Sequence, residues 1–177
     1  MSRTQEKIKD IVEPQAYEEV QDFFADPARS LTAYRFTDAT ADLLARWLDA
    51  LADLPRGKGA AHALAGLRGV GKSHSLAAFG ALIAPELRQN ISDAHVGVSA
   101  RRLTNRRHVV VHIARGTHTT LEEEVSAGLR AGFGNDAAGW GPTPVEALAG
   151  AMQHARGATL VLLVDTAYGR EARVSRD

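Results

Sequence analysis

Residues 66–73 read GLRGVGKS. Gly66, Gly69 and Gly71 fall within six residues, and each gives up more backbone entropy on folding than any other residue type. A chain reversal alone does not need three. Lys72 and Ser73 come next, and then SHSLAAFGALI, with Leu76, Phe79, Leu82 and Ile83 at helical spacing. The stretch satisfies G-x-x-x-x-G-K-[ST] at every position. From average residue frequencies, a chance match in a chain this long is on the order of one in a hundred.

Each part of that pattern has a physical task. Glycines let successive backbone N–H groups turn inward as an anion nest. The succeeding helix points the positive end of its dipole at the same spot. A lysine at this position reaches β- and γ-phosphates, and the adjacent hydroxyl serves Mg²⁺. The expected phosphate cradle therefore comprises Gly66, Leu67, Arg68, Gly69, Val70, Gly71, Lys72, Ser73 and His74. ATP and Mg²⁺ are the expected ligands.

The surrounding chain alternates helical and strand patterns. AAHALAG (60–66) reads as a short strand feeding the glycines, and HVVVHIA (108–114) as a β-branched strand. TLEEEVSAGLRAGF and TPVEALAGAMQHAR read as helices around a turn-rich GNDAAGWGP. ATLVLLVDTAYG reads as a buried strand ending at Asp165. Upstream, Thr37 is an N-cap for a helix over 38–54 whose apolar face is Leu43, Leu44, Trp47, Leu48 and Leu51, stopped by Pro55; this helix is expected near the adenine. QAYEEVQDFFADP reads as a further helix, with Tyr17, Val20, Phe23 and Phe24 on one face and a stop at Asp26-Pro27. The expected class is α/β, a P-loop NTPase with a three-layer αβα parallel sheet of three strands. Residues 1–36 form a helical lead and 37–177 the nucleotide-binding domain. That domain is expected to be incomplete at its C-terminal end, and so to turn over little ATP alone.

Asp165 ends an apolar strand, where ligands bind in open α/β sheets. With Ser73 it is the expected magnesium pair, and with Lys72 and Thr166 the expected catalytic set. Many ATPases of this kind place a water-polarising Glu after the acid. Here Thr166 stands there, a hydroxyl that can orient water but is a poor base. Gly169 comes one residue too late for a GTPase D-x-x-G, and no N-K-x-D is present, which favours ATP over GTP.

Composition narrows the partners. Lys plus Arg and Asp plus Glu each number 21, so the net charge is zero. Nucleic acid remains open as a partner without support from net charge. Arg101, Arg102, Arg106 and Arg107 in RRLTNRRH are most simply a solvated loop, having no flanking aromatics for base stacking. No cysteine is present, so neither a disulfide nor a thiolate metal site can form. A cytoplasmic setting is expected, with no signal peptide and no apolar run long enough for a bilayer. His108 and His112 alternate on one strand without a carboxylate partner, so core or edge histidines are expected. The LEEEV stretch reads as a charged face near a helix start.

The run GVGKSHSLAAFGAL, with DPARSLTAYRFTDATADLLARWLDAL upstream, resembles the N-terminal regions of large P-loop ATPases from bacterial phage-defence clusters of the BREX and phage-growth-limitation type. The resemblance rests on Asp26, Pro27, Tyr34, Thr37, Gly69, Gly71, Lys72, Ser73 and His74, and covers roughly residues 20–85. It implies an ATPase in a multi-gene antiviral system, oligomeric or working beside other defence proteins. A nucleotide-gated switch or scaffold with little hydrolysis, of AAA or STAND type, is the alternative.

Overall fold

The computed structural model describes residues 24–67, 69–88, 91–113 and 120–165. Helix α1 spans Pro27–Ala33, α2 Asp38–Asp53, α3 Lys72–Ile83 and α4 Ala94–Arg101, the last continued by a 3₁₀ turn over Arg102–Asn105. Strand β1 spans His108–Ile113. Helices α5 (Leu121–Phe133) and α6 (Pro144–His154) then lead to β2, Thr159–Val164. The sheet has two parallel strands, in register from His108 opposite Thr159 to Ile113 opposite Val164.

Local sequence explains most element starts. Thr37 accepts a hydrogen bond from the Thr40 N–H, and the Thr40 hydroxyl accepts one from the Thr37 N–H. Thr120 with Glu123 and Thr143 with Glu146 form the same reciprocal caps on α5 and α6. Asp26 caps α1 and Pro27 sits in its first turn, so the Asp-Pro pair opens a helix. Of the helix expected over QAYEEVQDFFADP, all but its last residues lie outside the described residues.

Two cores flank the sheet. Leu44, Leu48, Leu82, Ile83, Val96 and Leu103 are fully buried where α1–α4 meet, with Leu163 of β2 against them. On the other face Val111, Ile113, Leu129, Ala147 and Ala151 join β1 to α5 and α6. Alternation along β2 gives Val161 and Leu163 to the first core and Leu160 and Leu162 to the second, whereas β1 gives Val109, Val111 and Ile113 to the second alone. Leu44 and Leu48 anchor the predicted face of α2. Leu43, Trp47 and Leu51 are only half-buried, and Ala41 and Ala45 take the remaining inward places.

Three expectations are corrected. Residues 60–66 form no strand; they run as an irregular, largely exposed segment, and the described sheet has two strands rather than three. Four of those seven residues are alanines and none is β-branched, so the segment offers a ladder little to pack against. RRLTNRRH is mostly exposed, as a solvated segment should be, but it is largely helical rather than a loop. Arg101 ends α4, and Arg102 bonds Asp49 Oδ1 (2.7 Å) and Asp53 Oδ1 (2.5 Å) on α2. Arg106 Nη1 donates to the Leu54 carbonyl at 2.5 Å. The arginines therefore tie α4 and its 3₁₀ turn to the end of α2. The LEEEV stretch also departs from a simple charged face. Glu123 caps its own helix and Glu124 is buried.

Candidate functional site

The glycine loop is positioned by the helix it feeds. Gly69 and Gly71 take φ of +82° and +84°, a region that favours glycine. Gly71 is the residue before α3, whose start has no side-chain cap. The first-turn N–H groups of α3 thus face outward beside an exposed loop, the arrangement that attracts an anion. Lys72 folds back over the loop, its Nζ donating to the Gly66 carbonyl at 3.0 Å and the Leu67 carbonyl at 2.6 Å. These bonds hold the ammonium against the first two residues of the loop. Ser73 is half-buried in the first turn of α3. Arg68 lies outside the described residues, as does Thr166.

Asp165 reaches the same edge of the sheet by a separate route. Gly80 of α3 packs against Leu163 and Val110, so closely that an added Cβ would meet Leu163 Cδ1 at 2.5 Å. The residues closing α3 lie instead beside His108, at the start of β1. Helix α3 therefore runs antiparallel to both strands. Going back from Gly80 to Lys72 rises about 12 Å toward the strands' C-terminal ends. Asp165 is the first residue past β2 at that end, half-buried, its N–H bonded to the Ile113 carbonyl at 3.1 Å. Lys72, Ser73 and Asp165 thus share one pole of the molecule.

A second layer of contacts carries no local signal in the sequence. His74 is half-buried, and its Nε2 meets the Ser30 carbonyl at 3.0 Å. Its ring sits edge-on to Tyr34, with centroids 4.9 Å apart. Ser75 Oγ donates to the Gly71 carbonyl at 3.1 Å, which leaves Tyr34 O–H to donate to Ser75 Oγ at 3.0 Å. Helix α1 is thereby fastened to the first turn of α3. The adjoining cleft, 350 Å³, is lined by Tyr34, Arg35, Thr40, Val70 and His74 among others. Ser30 and Tyr34 stand at helical spacing in the sequence, but only the fold brings them to His74.

His108 and His112 are both half-buried on β1. His112 stacks on Phe24 with centroids 3.3 Å apart. Among the described residues no group of three His, Cys, Asp or Glu side chains could hold a metal by itself. None of the described helices is long and apolar enough to cross a membrane. No family model, curated protein or solved structure matches this chain.

Proposed function

We propose that the chain is a MgATP-binding P-loop module. The observation that carries the reading is the complete G-x-x-x-x-G-K-S sequence lying at an uncapped helix start, with Lys72 closed over its own loop carbonyls. An incoming triphosphate would exchange those two carbonyls for charge-assisted bonds to phosphate oxygens. The groups present fit the ligand. Exposed loop amides and the α3 N-terminus suit the phosphates, and Ser73 with Asp165 at the same pole suit Mg²⁺. The cleft between Tyr34 and His74 has room for the nucleoside. Magnesium would supply charge neutralisation at the β- and γ-oxygens.

On this reading the protein is an ATPase in its native context, of the phage-defence kind that the sequence resembles, and homo-oligomers or other defence proteins are its proposed partners. The fastening of α1 to α3 favours a second reading, a nucleotide-gated switch. Filling the cradle moves Lys72, which adjoins Ser73, His74 and Ser75, and so bears on the contacts that hold α1. ATP turnover by the intact parent protein separates the two.

Asp165→Asn tests the metal assignment. It is expected to weaken ATP binding in Mg²⁺ and to match the unaltered chain in EDTA. Equal loss in both conditions would assign Asp165 a folding role instead.

A further inference from the structure

The pole opposite the cradle holds a second concentration of positive charge. A cavity of 490 Å³ opens between the end of α3 and the start of β1, with Arg88, Arg106, Arg107, His108 and Glu86 on its wall. Among the described residues, none of the three arginines lies within ion-pair distance of a carboxylate. Arg88 and Arg106 are each held by a single backbone carbonyl, those of Ile83 and Leu54, both at 2.5 Å. Arg88 Nε is buried without a hydrogen-bond partner, and the His108 ring nitrogens are buried beside the Arg106 backbone. Buried polar atoms are ordinarily satisfied, and each exception needs an explanation. Three guanidinium charges against the one carboxylate of Glu86 leave a surplus of two.

We propose that this cavity is a binding site for a small ligand carrying a phosphomonoester dianion. A phosphate group near neutral pH carries between one and two negative charges and three acceptor oxygens. It matches the charge surplus and offers acceptor oxygens to the guanidinium groups on the cavity wall. Arginine forks suit a phosphate better than a lysine's point charge does. The volume leaves space for an organic portion beyond the phosphate. The site is separate from the cradle: Arg88 lies past the end of α3, whereas Lys72 opens it. It does not rest on the ATP reading. Burial lowers the Arg88 pKa, with Glu86 partly offsetting it; burial first, then the Arg88 guanidinium, lowers that of His108, while the Arg106 backbone raises it and the Arg106 guanidinium lowers it. A bound dianion would reverse that influence on His108.

The test uses the whole chain carrying Lys72→Ala, which removes the cradle's own lysine. Inorganic phosphate is titrated in while the His108 imidazole resonances are followed. A saturable shift is expected, with His108 titrating at higher pH when phosphate is bound. Arg88→Gln and the exposed-site Arg107→Gln should each weaken binding about tenfold or more. Arg107→Gln keeps the test decisive if Arg88→Gln does not fold. Absence of saturation, or unchanged phosphate affinity in Arg107→Gln, would overturn the proposal. Malonate binding as tightly as phosphate would overturn the phosphate class. A single-stranded oligonucleotide displacing phosphate at far lower concentration would replace a small-ligand site with a nucleic-acid surface. MgATP binding by Arg107→Gln with Lys72 intact reports on the cradle separately.

Discussion

His108 shows how placement overrides residue type. Histidine is the side chain that ordinarily changes charge near neutrality, yet here burial first, and then the Arg88 and Arg106 guanidiniums, hold its pKa below the ordinary 6.5, with the Arg106 backbone offsetting part. Arg107 and Glu86 are the other charged groups lining that cavity. The folded pKa is depressed, so on acidification the unfolded chain takes up a proton that the folded chain resists. The His108 contribution is therefore complete above pH 6.5 and is lost as pH falls through the depressed folded value. Urea midpoints measured from about pH 8 down to pH 5 should fall, and His108→Phe should flatten that dependence. An equal slope in both proteins would contradict this. The alternation of His108 and His112 is visible in the sequence, but the guanidinium beside His108 is not, because Arg88 approaches it only through the fold. Tyr34 and His74 make the same point. Both stand out as residues, and their mutual contact depends on how α1 lies across α3.

At the scale of elements, legibility tracks the strength of local chemistry. Helices α2, α5 and α6 begin at capping threonines, and β1 and β2 are runs of β-branched and aliphatic residues. All five stand close to where the sequence puts them. Helix α4 has no such signal. It is eight residues long, contributes only Val96 and Ala100 as buried apolar side chains, and is announced by the single cap Asp93. Segment 60–66 errs the other way, since apolar composition without β-branching does not make a strand. Close packing of α5 on β1 gives a further prediction. A Cβ on Gly128 would lie 2.9 Å from Ile113 Cγ1 and 3.2 Å from its Cα, and Ile113 is completely buried. Alanine gains about 0.5–1 kcal/mol as a helix former, but overpacking costs about 1–3 kcal/mol. The midpoints of the two ranges put Gly128→Ala about 1 kcal/mol below the parent in equilibrium denaturation. A variant as stable as the parent would show that α5 can move away from β1.

Across the whole molecule, two cores on opposite faces of a small parallel sheet fix two chemically distinct poles. Lys72, Ser73 and Asp165 stand where the strands end, and Arg88, Arg107 and His108 where they begin. The antiparallel run of α3 separates them, because its first residue belongs to one pole and the residues after its last turn to the other. The candidate cradle is legible because it is contiguous in sequence and its residue types are tightly specified. The arginine cavity is not, because it draws on positions about twenty residues apart, and nothing local marks them as neighbours. The central claim is that the 66–73 loop receives a triphosphate through Lys72. Calorimetric titration of MgATP into the native chain and Lys72→Ala tests it most directly. Loss of the charge-assisted contacts is worth roughly 1.5–3 kcal/mol, so the variant should bind about ten- to a hundredfold more weakly. Equal affinity of the two proteins for MgATP, or no binding by the native chain, would contradict the account.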